Sequence, residues 1–206
     1  MSTLLGRILI QIRMLVYLLR LLFGGYKEGN SRFSYHRRSA AMPLTFMMVF
    51  IAPAGVFLTA LILPWPILTW VLAVILGYAL VYTAGLYSSM IALPHELTQD
   101  RLILRYGAIA SGEIPCSFIK SAAISREWLG QTGDGLKFGL AENTACFSIG
   151  SATSMKLELS QPVEMTLWGQ TTQRVTFIYF HADEPDRMIA EINKRCPVAE
   201  SSVAGF

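Results

Sequence analysis

The sequence predicts a membrane-anchored α+β protein, a two-helix transmembrane hairpin followed by an antiparallel β domain that one C-terminal helix closes. Three observations carry this. Charge is absent from residues 44–63 and again from residues 66–94. Pro64 and Pro66 stand between those runs and break any continuous helix. Beyond residue 94 the apolar positions change from helical recurrence to strand-like alternation.

The mean hydropathy is +0.45. Only 15% of the 206 residues are charged, against about 25% in an ordinary soluble domain. The shortage is confined to the two apolar runs, and the chain from His95 onward has the composition and length of a water-soluble domain with its own core. A net charge of +3 would suggest nucleic acid if the excess lay in that domain. It lies instead before the first run, in Arg7, Arg13, Arg20, Lys27, Arg32, Arg37 and Arg38, with Glu28 the one acid among them. That is a topology signal, and no nucleic-acid partner is expected.

Taken in order, residues 1–41 form a basic helix and linker, residues 42–93 the hairpin, residues 94–196 the β domain, and residues 197–206 a flexible tail. The first span, about 42–63, measures ~33 Å at ~1.5 Å per residue, enough for a ~30 Å hydrocarbon core. Pro53 and Gly55 fall inside it, as membrane helices tolerate. The second span covers about 66–90, and Trp65 and Trp70 mark the turn as an interface with lipid head groups. Arg37 and Arg38 stand just before the first span as further candidate lipid-interface residues, and that flank is expected on the cytoplasmic side. Two crossings return the β domain to the same side.

Residues 4–23 are apolar enough to span, yet Arg7, Arg13 and Arg20 interrupt them. Arg13, Arg20 and Lys27 share one stripe at seven-residue spacing. A spanning helix would put Arg13 near mid-bilayer at a cost of ~2.5–3.5 kcal/mol. An interfacial helix avoids this and gains ~1 kcal/mol per basic residue from anionic lipid. The interfacial placement is therefore preferred, with a third span and docking on a partner as the alternatives.

In the β domain, a hairpin is expected over residues 97–106 around Gln99–Asp100, followed by strands near 109–114 and 119–126 and a Gly-rich loop at 129–135. Strands near 137–140, 144–149, 155–159, 163–167 and 174–181 complete a set of six to eight, the last apolar on both faces and hence central. Pro185 and Asp186 start the closing helix, Lys194 and Arg195 end it, and Pro197 stops it.

The stretch HELTQDRLILRYGAIASGEIPCSFIKSAAI resembles the opening of bacterial pleckstrin-homology-like domains, in which a strand leaves a transmembrane hairpin and runs through T-x-x-R-L and a Gly toward I-P-x-x-x-I. The matching residues are Thr98, Arg101, Leu102, Gly107, Ile114, Pro115 and Ile119. The closing IYFHADEPDRMIAEINKR is similar to the last strand and capping helix of that fold. The resemblance covers residues 95–196. It implies a PH-like antiparallel barrel or sandwich in a bacterial membrane protein, and the basic flank adds the expectation of an inner-membrane placement with both termini cytoplasmic.

The resemblance also implies lipid head-group binding through basic loops. Here the 99–100 loop is acidic and polar, and the candidate surface cations Arg101, Arg105, Lys120 and Arg126 are spread along strands. No nucleophile–base pair with motif context occurs. His95–Glu96 is expected as a polar pair at the domain's edge, because no HExxH follows it. GQTGDG lacks a P-loop's lysine and is expected to be a loop. Cys116, Cys146 and Cys196 have no metal-ligand spacing and are expected as small buried hydrophobes, with free thiols suited to a reducing cytoplasm. No catalytic residue, metal or cofactor is expected.

The function these features favour is an interaction module held at the membrane by its hairpin and basic helix, contacting lipid there and binding a protein or itself. A structural subunit of a larger membrane enzyme or transporter is the first alternative, and a lipid-binding or lipid-acting protein the second.

Overall fold

The computed structural model describes residues 3–24, 31–62 and 65–196. Lys27 and the expected tail at 197–206 lie outside these residues. Helix α1 covers Thr3–Phe23, α2 Ala41–Ile62 and α3 Pro66–Ala92. Helices α2 and α3 are long and apolar enough to cross a membrane, with mean hydropathy 2.2 and 2.0 over their best windows. Only 6% of each window is buried, which separates them from the mostly buried core helices of a soluble fold. Trp65 and Trp70 stand exposed at the start of α3.

The sheet holds nine strands: β1 (Arg32–Phe33), β2 (His95–Leu97), β3 (Arg101–Tyr106), β4 (Ala110–Pro115), β5 (Ile119–Ile124), β6 (Gly135–Phe138), β7 (Thr144–Ser148), β8 (Met155–Leu167) and β9 (Gln170–Phe180). Their order is β1-β2-β3-β4-β8-β9-β7-β6, with β5 also on β8. Helix α4 (Pro185–Arg195) follows and buries Met188 and Ile192.

Three features of strand pairing and domain extent differ from the sequence expectation. Residues 155–159 and 163–167, expected as two strands, are one: β8 runs through both, and its register against β9 shifts between Glu158 and Val163. Pro162 sits in that irregular stretch, where a missing N–H costs no ladder bond. β7 runs parallel to β9, so the sheet is not wholly antiparallel. Parallel neighbours need a crossover, and here β8 supplies it by lying on the far side of β9. The third difference is that the linker ahead of α2 belongs to the β domain. β1 pairs with β2, and Phe33 and Tyr35 are buried in the core.

The domain is thus tied to the hairpin at two points. The end of α3 buries Ser88, Ser89 and Met90 and leads within three residues into β2. On the other side, residues 34–40 form a strap leading into α2. Asp134 of the Gly-rich loop fixes this strap. Its carboxylate accepts hydrogen bonds from Ser39 Oγ (2.7 Å) and the Ala40 amide (3.0 Å), and from the Gly150 amide on its other oxygen. Ser39 Oγ in turn accepts from the Ala41 amide, capping the first turn of α2. Gly150, at φ +58°, lets the strap come close: a Cβ there would stand 2.8 Å from the Arg38 carbonyl oxygen.

Helix α1 packs on the chain's own α3. Ile10 and Met14 are buried, Met14 lies against Gly85, and Gln11 Nε2 donates to the Tyr78 hydroxyl at 2.8 Å. The Trp168–Gly169 turn between β8 and β9, with both residues at positive φ, meets α1 at Gly6 and Ile10. The opposite side of α1 exposes Leu5, Leu9, Ile12, Val16 and Leu19.

Cys116 and Cys196 are joined by a disulfide, with Cα atoms 4.7 Å apart, and only Cys146 is a free buried thiol. The expectation of three free thiols is corrected: the turn after β4 comes beside the end of α4, pairing residues that are 80 positions apart.

Candidate functional site

The strand cations expected to bind at the domain surface are mostly occupied by carboxylates. Arg101 pairs with Asp100 (3.2 Å) and Glu113 (3.1 Å), Arg105 with Glu96 (3.4 Å), and Lys120 with Glu158. Strand alternation brings these side chains to one face, where a cross-strand or neighbouring acid lies within reach. Arg126 is different. It lies beyond the end of β5 and has no ion pair among the described residues.

Arg126 meets Arg37 and Arg38 across a cleft of about 550 Å³ that opens beside the start of α2. The strap carries the first two arginines, the irregular segment 125–134 brings Arg126 and Trp128, and residues 181–186 close the third side. All three arginines are exposed and none has an ion pair among the described residues. Ile124 and Trp128, both exposed, give the rim an apolar component.

The walls are held by hydrogen bonds. The Ser125 amide donates to the Ser154 carbonyl (3.1 Å), and Trp128 Nε1 donates to the Gln131 carbonyl (3.1 Å). The Tyr179 hydroxyl donates to Glu127 (3.0 Å). Ser154 Oγ both donates to the Ala182 carbonyl and accepts from its amide.

His181 lines the cleft and is only 4% exposed. Neither ring nitrogen has a hydrogen-bond partner among the described residues; Nε2 stands 3.7 Å from Asp183 Oδ1, beyond hydrogen-bond reach. Burial works against the charged form of Asp183. The contacts of its carboxyl with His181, Ser34 and the Arg37 amide outweigh this and hold it below the ordinary carboxylate value. Asp186, exposed in the first turn of α4, is the cleft's other acid.

His95 is corrected from an edge residue to a core one. It is 1% exposed, stacks on Tyr35 with ring centroids 4.3 Å apart, and uses both nitrogens. Nδ1 accepts from the Arg105 amide (3.1 Å) and Nε2 lies 3.0 Å from the His181 carbonyl, so the neutral Nε2–H tautomer satisfies both. Burial pushes its pKa down to about 3. The ring is a structural link in a chain that includes the Tyr35 hydroxyl, which accepts from the Gly107 amide at 2.7 Å. Among the described residues no group of His, Cys, Asp or Glu stands ready to hold a metal ion.

Of the expected interface residues, Arg13 and Arg20 are exposed along one edge of α1. The strap brings Arg37 and Arg38, read from the sequence as topology markers and candidate lipid-interface residues, into the cleft with Arg126. Trp128, His181 and Asp134 were not singled out as binding or anchoring residues. The one signal for Trp128 was a large aromatic in a polar stretch between strands, where no core position is expected. Comparison with protein-family profiles, curated proteins and solved structures gave no match.

Proposed function

We propose that this chain is a membrane-anchored recognition module: α2 and α3 cross a bilayer, α1 lies along its interface, and the sheet domain binds a partner without catalysing a reaction. The observation that carries this is the double attachment of the domain, through the Asp134-held strap on one side and the buried end of α3 on the other. Such a joint fixes one face of the domain toward the membrane, and the cleft opens beside that joint. The apolar outer face of α1, edged by Arg13 and Arg20, suits the head-group boundary. A PH-like ancestry for the domain agrees with a long sheet ending in a packed helix.

The arginines before α2 favour a cytoplasmic domain at a bacterial inner membrane. The Cys116–Cys196 bond favours the opposite, oxidising side. Lys/Arg bias in short flanks is the stronger determinant of orientation, so the cytoplasmic reading is kept with the Cys116–Cys196 bond in place. Alkaline carbonate should leave the full-length chain in the membrane fraction, and reporters fused after Ser2 and Phe206 should both read cytoplasmic. Alkylation under denaturation should tag one thiol without reductant and three after reduction. Release by carbonate would defeat the anchor, and external reporters would reverse the orientation.

A further inference from the structure

We infer that the cleft between the strap, the 125–134 segment and the start of α4 is a binding site for a phosphate ester. The inference rests on the anchored-module reading for its setting but on the cleft alone for its chemistry. Arg37, Arg38 and Arg126 converge from two separate segments and are unneutralised among the described residues, whereas the strand cations Arg101, Arg105 and Lys120 have carboxylate partners.

Guanidinium groups present planar forks that match phosphate oxygens two at a time, and several together suit a multiply charged group better than a single carboxylate. The two acids leave this field positive. Asp183 faces the interior, its side chain 3% exposed and engaged by the Arg37 amide, and Asp186 stands at the rim. His181 provides the second observation. Its imidazole is buried with no hydrogen-bond partner among the described residues, and it lines this cleft, where a ligand oxygen would satisfy its N–H.

The size and rim indicate what else the ligand carries. About 550 Å³ is far more than a bare phosphate fills and lies in the range of ~300–1,000 Å³ typical of small-molecule sites. Trp128 and Ile124 offer apolar surface to the organic part of the ester. A phospholipid head group and a soluble phosphate ester share this chemistry.

The test uses the full-length chain. In neutral detergent it is titrated with glycerol 3-phosphate, with glycerol as the uncharged control. In phosphatidylcholine nanodiscs it is titrated with phosphatidic acid. Tryptophan fluorescence is the readout, with W128F assigning the signal to the cleft. A saturable response to a phosphate ester and none to glycerol is expected. R126Q should weaken it about tenfold and the double variant R37Q/R38Q about a hundredfold, the loss of one charged hydrogen bond per arginine.

R101Q should leave the affinity unchanged, and thermal unfolding will show that each variant is folded. A response in the soluble arm assigns a free ester as sufficient; a response only in nanodiscs assigns the lipid head group. Absence of saturation in both arms, affinity unaltered by the cleft variants, or equal weakening by R101Q would each overturn the site. A failed anchor shows as carbonate release and leaves the soluble arm readable, so the two failures are distinct.

Discussion

Two sets of basic side chains on one sheet domain have opposite surroundings. On the strands, Arg101, Arg105, Lys120 and Arg174 each meet a carboxylate within 3.4 Å. In the cleft, Arg37, Arg38 and Arg126 meet none among the described residues. The cause is geometric. A ladder sets neighbours at fixed spacing, as where Glu164 stands directly opposite Arg174, so these four strand cations acquire acidic partners, while Lys137 and Lys156 meet a backbone carbonyl and two aromatic rings. The cleft is built from a strap, an irregular segment and a helix start, where no register assigns partners. The difference teaches that cations without acidic partners gathered around one cleft, not cations as such, locate a candidate site on this protein.

The largest test of that contrast is acid. Apart from His181, the buried polar groups of the domain serve structure, and His95 dominates them. Its folded pKa, about 3, is below the ordinary histidine value. Between about pH 6 and pH 3 the unfolded chain therefore holds a proton that the folded chain does not. Stability is full above the ordinary histidine pKa and falls as pH drops, by about 1.4 kcal/mol per pH unit. Asp183 adds a loss of the same sign at the acid end, because its carboxyl is held below its ordinary value. Thermal unfolding of the full-length chain in detergent, from pH 7 to pH 4, should show this slope, and H95Q should flatten it. An equal slope in H95Q would assign the acid sensitivity elsewhere.

Next in size is the joint between domain and hairpin. Asp134→Ala removes the acceptor of two bonds from the strap and one from Gly150, and should cost about 2 kcal/mol. Because the strap carries Arg37 and Arg38, the same change should weaken phosphate-ester binding even though Asp134 does not line the cleft. Unfolding midpoints and the fluorescence titration report the two effects. An unchanged midpoint would mean that the strap is held by Phe33 and Tyr35 alone.

How much of this was legible in sequence follows the range of the forces. Helices α2 and α3 were readable within two residues, because apolar composition and flanking prolines act locally. The β2–β3 hairpin and α4 were equally local. The parallel β7–β9 pair was not, since alternation sets which face is buried and says nothing of which strand lies alongside. β1 was missed because two residues are too few to show a period. The approach of Cys116 to Cys196 and of Arg126 to Arg37 is tertiary in origin, and neither has a spacing signature. Asp134 looked like any loop aspartate; only the fold brings it to the N-terminus of α2.

The smallest expected effect separates the two cation sets most cleanly. Arg105 is 24% exposed and pairs with Glu96, which is 31% exposed, so the pair is partly screened by solvent. R105Q should cost no more than about 1 kcal/mol, since such pairs gain modest Coulomb energy against the entropy of holding both side chains. R126Q should leave the unfolding midpoint unchanged, because Arg126 has no ion pair among the described residues to lose and is exposed to water. In the ligand titration the order reverses: R126Q weakens phosphate binding and R105Q does not. A double dissociation of this kind excludes two simpler accounts. If both variants lowered stability alike, Arg126 would be structural, and if both weakened binding alike, the domain would attract anions through its net field with no site at the cleft.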